Sequence, residues 1–331
     1  MSPNSKRRHL LAAACAALPT LAWPQAATPP DKITVAGWSK PIAEITPLLV
    51  DEDKGFYRAQ GLALEYLPGA GGGDALRNLL SGQADLAFTD PGSLFAALDK
   101  GERLRAVYDI YPQNVFNVVS LRKSGIRKPA DLKGKKIGVY SLASGTRQAL
   151  QVLLHQAGLT EADVTVVVTG LLNFAPLLQG QVDATAATDT GLAIGRRRGV
   201  AEVEVMEVGQ FLNVSSDLFV VREDSYQRRK DVLRRFLRAY RDAAAWMIAE
   251  PAEAAQLAVK RAIDGSDPQL NLELIRLRNA SSVSALTRDK GLGALDVASL
   301  QKAADVYRQL GLVQQRLDMA QVVAGDLLPG R

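Results

Sequence analysis

The chain has 331 residues, 47% apolar and 23% charged, enough for two domains of ordinary globular make-up. Its formal charge of +5 overstates its basicity: Lys6, Arg7 and Arg8 lie in an N-terminal segment with no acidic residue, and beyond it 37 basic residues face 35 acidic ones. The basic runs 196–198 and 228–230 carry no interleaved aromatic platform, which argues against nucleic acid as a partner, and with Cys15 the sole cysteine the body of the chain has no disulfide, thiol nucleophile or thiolate metal site.

Lys6-Arg7-Arg8 followed by the uncharged stretch 10–22 has the charged and apolar regions of an export signal, so residues 1–27 are expected to be cleaved away near Ala22 or at Ala26-Ala27. The route is general-secretory or twin-arginine; in the second reading Lys6 stands where Ser or Thr is usual. Cys15 ends a run that loosely resembles a lipobox, but Ala12 replaces the usual leucine. No later stretch approaches the roughly 18 apolar residues of a membrane span.

After the linker Thr28-Pro29-Pro30, strands are expected at 33–36, 62–66, 85–88 and 104–110, alternating with helices at 42–56, 74–80 and 93–98. Pro47 kinks the first helix or marks its true start, and Gly71-Gly72-Gly73 reads as a flexible turn more than a ligand cradle. A second cycle starts near residue 119. It has a helical turn at 129–132, strands at 136–140, 164–168, 182–187 and 203–208, and helices from Ser144-Gly145-Thr146 to about 157 and at 174–178. A strand at 217–221 returns to the first unit, and helices follow at 230–248, 251–262, 271–277 and 297–309.

One pattern occurs twice. Gly82-Gln83-Ala84-Asp85 feeds an apolar run ending in Thr89-Asp90, and Gly180-Gln181-Val182-Asp183 feeds one, a residue longer, ending in Thr188-Asp189. An echo at about a hundred residues implies two similar α/β lobes, since solenoid repeats are far shorter. The expected fold is therefore α/β, with two lobes, each a mostly parallel sheet flanked by helices. Residues 31–118 with 223–331 form lobe 1, carrying the C-terminal helices, and 119–222 form lobe 2, with a hinge near 115–120 and 218–223.

Ligands of open α/β sheets sit outside the carboxyl ends of the strands. Trp38, after the first strand, can stack on a flat ligand or pack a lobe. Glu44 can accept from a ligand amine or lie in solvent, and Tyr111, after the fourth strand, can add a second aromatic wall. Thr89-Asp90 and Thr188-Asp189 end the two echo strands from opposite lobes, and each aspartate can also cap the helix that follows. Asp217 begins the returning strand. Ser144, Gly145 and Thr146 open a helix whose free N–H groups suit an anion or polar ring edge, or serve as an ordinary cap. Arg147 is the only basic residue within these motifs, which favours a neutral or cationic amine-bearing heterocycle over a small anion. His155 reads as packing or surface.

Taken in order along the chain, several stretches resemble the periplasmic solute-binding proteins of ABC importers, in the branch that binds thiamine-pyrimidine precursors, alkanesulfonates and nitrate. They are Asp53-Lys54-Gly55-Phe56-Tyr57 with Gly61-Leu62, Leu80-Ser81-Gly82-Gln83-Ala84-Asp85, Ser124-Gly125-Ile126, Asp131-Leu132-Lys133-Gly134-Lys135-Lys136-Ile137-Gly138-Val139, and Trp246 with Glu250-Pro251-Ala252-Glu253-Ala254. Ile110-Tyr111-Pro112-Gln113-Asn114-Val115-Phe116 is similar to the thiamine-pyrimidine subgroup, which often has Gln-Lys-Asn-Pro-Phe here. The resemblance implies a monomeric type II binding protein of the periplasm that closes by hinge motion on a small molecule and delivers it to permease subunits served by a cytoplasmic ATPase. The expected ligand is a thiamine-precursor aminopyrimidine or related heteroaromatic. The alternatives are an alkanesulfonate, taurine or nitrate, or a role as sensor for a membrane receptor. No cofactor and no catalysis are expected. A relative of this fold makes the thiamine pyrimidine with histidine, cysteine and iron, and this chain lacks that ligand set beyond its leader.

Overall fold

The protein is described from a computed structural model covering residues 29–170 and 174–328; the export signal expected at 1–27 lies outside them. Its strands are β1 (Asp31–Ala36), β2 (Leu62–Leu67), β3 (Leu86–Thr89), β4 (Leu104–Tyr111), β5 (Phe116–Leu121), β6 (Lys136–Val139), β7 (Thr165–Val168), β8 (Ala184–Thr188), β9 (Val203–Glu207) and β10 (Asp217–Arg222). They form two five-stranded sheets, β2-β1-β3-β10-β4 and β7-β6-β8-β5-β9. The two orders are the same topology used twice.

In each sheet the first three strands pair in parallel, and the fourth pairs antiparallel with both neighbours. The sheets are thus mixed rather than mostly parallel. That fourth strand, β10 in one sheet and β5 in the other, arrives from the opposite lobe. It enters at the cleft end, where its parallel neighbours finish, so it must run against them. The chain passes between sheets over 112–115 and 208–216, so residues 116–121 and 217–222 already lie inside strands.

The echo acquires a structural cause here. Gly82 (φ 80°) and Gly180 (φ 70°) turn the chain through left-handed backbone that glycine adopts without a Cβ clash. The aspartate three residues on then clamps the first strand of its own sheet. The Thr34 N–H donates to Asp85 Oδ2 at 2.9 Å while the Asp85 N–H donates to the Thr34 carbonyl at 2.8 Å. In the other lobe Lys136 N–H donates to Asp183 Oδ2 at 2.8 Å and Asp183 N–H to the Lys136 carbonyl at 2.8 Å. Both pairs pin the register of the third strand against the first.

The expected helix at 42–56 divides into a 3-10 turn, Ala43–Leu48, and a short helix, Asp51–Lys54, with Ile45 off helical geometry. Pro47 lacks an N–H and disfavours helical backbone before it, which accounts for the break. Further on, the helix Lys230–Ala249 buries Leu233, Phe236, Leu237, Tyr240 and Ala244, the three-and-four spacing of one helical face. That face packs on the first sheet, with Phe219 and Tyr240 edge to face at 4.7 Å between centroids.

The two crossings are tied to each other. Val115 N–H donates to Ser216 Oγ (2.9 Å), Ser216 Oγ donates to the Gln113 carbonyl (2.6 Å), and Asn114 donates to the Leu212 carbonyl (3.1 Å). Beside them Ser215 Oγ donates to Asp109 Oδ2 at 2.6 Å, while Asp109 Oδ1 is buried without a partner. Burial pushes the Asp109 carboxyl up to about 8, with the Ser215 bond opposing and the Asp296 charge adding to the rise.

Candidate functional site

A cavity of ≈ 870 Å³, open solvent at its mouth included, lies between the lobes. Four helices begin around it, Gly72–Leu80 and Pro91–Asp99 from lobe 1, Gly145–Gln156 and Asp189–Arg197 from lobe 2. Each follows the carboxyl end of a strand, so their unpaired N–H groups converge on the space between the sheets. The lobes touch around it: Gly73 N–H donates to the Ala143 carbonyl (3.0 Å), Ser141 Oγ to the Ala70 carbonyl (2.5 Å) and Gln148 Nε2 to Ser93 Oγ (3.2 Å). The two halves are thus in direct contact around the cavity.

Of the expected site residues, Trp38, Glu44, Asp90, Ser144, Gly145, Thr146, Thr188 and Asp217 line this cavity. Trp38 meets Tyr140 of the other lobe edge to face, centroids 6.4 Å apart at 89°, and its indole Nε1 is buried without a partner. Asp90 caps its helix: Ser93 N–H donates to Oδ1 and Ser93 Oγ to Oδ2, each at 2.8 Å. It therefore caps and borders the cavity at once. Burial pushes its carboxyl up to about 6, against those hydrogen bonds. Asp217, also buried, is held well above the usual carboxylate range, first by burial and then by the nearby Asp90 charge.

At the start of Gly145–Gln156 no side chain caps the helix. Ser144 Oγ instead donates to the Ser141 carbonyl at 2.6 Å, and Thr146 Oγ1 accepts from Tyr140 N–H at 3.0 Å. The first N–H groups of that helix are left to face the cavity. Gly145 is required by space, because a Cβ there would sit 2.6 Å from the Phe116 ring.

Three expectations are corrected. Tyr111 is buried behind the cavity rather than forming its wall: its ring lies under the Arg278 guanidinium, 5.2 Å from centroid to carbon. The aromatic surroundings come instead from Tyr140, Phe116 and Phe174. Thr89 is fully buried, its hydroxyl donating to the Gly72 carbonyl at 2.9 Å. Asp189 is not Asp90's counterpart. Counting five residues on from the two clamping aspartates, Asp85 and Asp183, leads to Asp90 and to Thr188, and Thr188 is the cap, accepting from Gly191 N–H at 3.1 Å. Asp189, the additional residue of the longer copy, pairs with Arg278 at 2.8 Å.

The sequence reading also missed that basic groups line the space. Arg147 points away and pairs with Glu161 at 2.6 Å, whereas Arg278 and Arg198 both line the cavity. Arg278, 1% exposed, donates from Nε to Glu44 Oε2 at 2.7 Å and from Nη2 to Thr190 Oγ1 at 2.6 Å. Burial would lower its pKa, but Asp189 and Glu44 outweigh that and hold it above its ordinary value. The glycine run proved more than a loose turn. Gly71 and Gly72 line the cavity, and Gly71 (φ 126°) comes so close to the other lobe that a Cβ would lie 2.5 Å from the Ala143 carbonyl oxygen. His155 is exposed on Gly145–Gln156, outside the cavity lining.

A family profile described as NMT1/THI5 like matches residues 42–254. The riboflavin-binding protein RibY of Chloroflexus aurantiacus is 25% identical over 322 residues, covering 95% of this chain and 91% of that protein. The 4-amino-5-hydroxymethyl-2-methylpyrimidine phosphate synthase THI5 of Saccharomyces cerevisiae is 24% identical over 258 residues, 74% of each chain. Among solved structures, the alkanesulfonate-binding protein SsuA of Xanthomonas axonopodis pv. citri, bound to MOPS, superposes with a TM-score of 0.72 over 90% of this chain and 100% of that one, at 19% identity. The fold is that of periplasmic binding proteins.

Proposed function

Because the chain belongs to the NMT1/THI5-like family, we propose that it is a periplasmic solute-binding protein that captures a flat, amine-bearing heteroaromatic, of the aminopyrimidine kind, and hands it to the permease of an ABC importer without turning it over. The observation that carries this reading is the pairing of aromatic faces with buried carboxyls. Trp38 and Tyr140 approach the cavity from opposite lobes, and Asp90 and Asp217 border it with carboxyls whose pKa values are raised. A protonated carboxyl offers one donor and one acceptor side by side, the complement of a ring nitrogen next to an exocyclic amine. An ionised carboxylate would hold a protonated amine instead. Hinge motion about the crossings at 112–115 and 208–216, with lobe 1 built on the first sheet and lobe 2 on the second, would admit and release the ligand.

Binding without turnover is supported by the donor set. Among the described residues the cavity is lined by carboxylates but by no histidine or cysteine, and no group of three or more His, Cys, Asp or Glu side chains is placed to hold a metal ion. Those residues do not fit the histidine, cysteine and iron chemistry of the pyrimidine-making relative.

A second reading rests on the uncapped start of Gly145–Gln156 and the exposed Arg198 at the cavity, which together suit a small sulfonate. The two readings separate in one experiment. Protein purified from periplasm is weighed by native mass spectrometry and its released small molecule identified, then titrated by tryptophan fluorescence with 4-amino-5-hydroxymethyl-2-methylpyrimidine, riboflavin and MOPS. A bound flat amine-bearing ring supports the proposal. A bound sulfonate with no affinity for either ring overturns it, and chemical conversion of a bound ring overturns the claim of no turnover.

A further inference from the structure

We infer that Arg278 is the residue through which a ligand holds the lobes shut, and that its free Nη1 takes a neutral acceptor, a ring nitrogen or carbonyl, from that ligand. The inference rests on the ligand-capture reading above and specifies what the ligand must bring.

Arg278 stands on the lobe 1 helix Pro268–Ser281 and reaches across the cleft. Its Nε is held by Glu44 of lobe 1 at 2.7 Å, and its Nη2 by Thr190 Oγ1 at 2.6 Å and Asp189 Oδ1 at 2.8 Å, both of lobe 2. Its Nη1 is buried and has no hydrogen-bond partner, in a side chain that lines the ligand cavity. The Tyr111 ring below it supplies only a cation–π contact, with the guanidinium carbon 5.2 Å from the ring centroid. Three of the guanidinium's five N–H donors are therefore matched by protein groups, and the two on Nη1, in a side chain that lines the cavity, are not.

Opening the lobes withdraws Asp189 and Thr190 and lets water reach the guanidinium. Closing removes that water and strands Nη1. An unmatched buried donor biases a two-state equilibrium by a factor of roughly 5 to 150. A ligand that supplies an acceptor cancels that bias and so favours the closed form, as population shift demands of any ligand that closes a protein. The charge count selects the kind of acceptor. Two carboxylates, Glu44 and Asp189, already face one guanidinium. An anionic oxygen placed on Nη1 would add a third negative charge to that cluster, and a neutral acceptor adds none.

The test is Arg278→Lys. A lysine ammonium has three donors, which Glu44, Asp189 and Thr190 can take, leaving none stranded. Beyond the leader the chain has no cysteine, so spin labels on Lys40→Cys and Arg196→Cys, exposed positions near Trp38 and Arg198 on opposite lobes, report the gap directly. Without ligand, the lysine variant should be closed in a larger fraction of molecules than the arginine protein. With riboflavin or 4-amino-5-hydroxymethyl-2-methylpyrimidine, it should bind at least tenfold more weakly and close little further. Equal closed fractions without ligand, or an unchanged affinity, overturn the inference. So does an equal loss of affinity for MOPS, as regards the neutral acceptor. If neither ring binds the arginine protein, the proposed ligand class fails, and the unliganded comparison still decides the role of Arg278. Asp189→Asn is the second variant: it should open the unliganded protein, and an unchanged gap counts against the bridge.

Discussion

Replacing Asp109 with asparagine should stabilise the protein at neutral pH and leave it unchanged in acid. The folded-state carboxyl titrates at about 8, and its unfolded counterpart near 4. Below about pH 4 both states are protonated and the group contributes nothing. Between the two values the folded protein keeps a proton that the unfolded chain has released, so stability falls as pH rises, and above the folded value the loss is complete. Four pH units at 1.36 kcal/mol each set a ceiling of about 5 kcal/mol. Relaxation around the ionised group lowers this, so a gain of about 2–4 kcal/mol for Asp109→Asn at pH 7.5 is expected. Asparagine has nearly the same shape, is neutral throughout, and can still accept from Ser215. Urea unfolding at pH 4.5, 6.0 and 7.5 measures the difference between the two proteins, which cancels every other titrating group they share. Parallel pH profiles would show that Asp109 does not keep its proton, and the reasoning from burial would fail.

Gly71→Ala should weaken ligand binding five- to a hundredfold, because its Cβ would press on Ala143 when the lobes meet, and should also lower thermal stability, because a φ of 126° strains any residue with a Cβ; ligand titration beside a thermal melt measures the two effects separately. Trp38→Ala should weaken binding of a flat ring about tenfold, the worth of one aromatic contact, and also lower the unfolding midpoint because the indole packs edge to face on Phe88, whereas Trp38→Phe should keep most of both, as titration and thermal melts of the two variants would measure. If the ligand carries a protonated amine, its affinity should rise between pH 5 and 7 as Asp90, with a pKa of about 6, ionises, and a titration series should show that rise abolished in Asp90→Asn. Asp183→Ala should cost about 1–2 kcal/mol in urea unfolding through loss of the clamp on β6, an effect that a mere surface carboxylate would not have.

Most strands of both sheets were legible in the sequence, because short apolar runs bounded by glycine turns announce them. β5 was not. It follows Pro112 and Asn114, is buried at its four central residues, and so shows no alternation to distinguish it from the connection before it. Trp38, Asp90 and Ser144–Thr146 were found by asking which residues follow strand ends. Arg278 lies far from any strand end, and the expected helix at 271–277 stopped one residue short of it. A signal was nevertheless present. Asn271, Leu274, Ile275 and Arg278 share one helical face, and all four are buried, so an arginine on the apolar side of an amphipathic helix marked a buried charge in need of partners. The partner Asp189 was misread because the echo was aligned on its Thr-Asp ends. Aligned on the aspartates that clamp the first strands, it identifies Thr188 as the cap and frees Asp189 for Arg278.

The two sheets share a topology but not a chain history. All five strands of the second sheet lie in one continuous stretch, 116–207, whereas β4 at the edge of the first sheet is joined to it only through β10, more than a hundred residues later. As the chain emerges, the second sheet can assemble from neighbours, while β4 must wait for the whole of lobe 2 to pass before its partner exists. The long loop makes that closure the slow step. Pulse-labelled hydrogen exchange during refolding should therefore find β5, β6 and β8 protected while β4 still exchanges freely. A chain ending before residue 217 should leave the first sheet without its fourth strand, however well the second has folded.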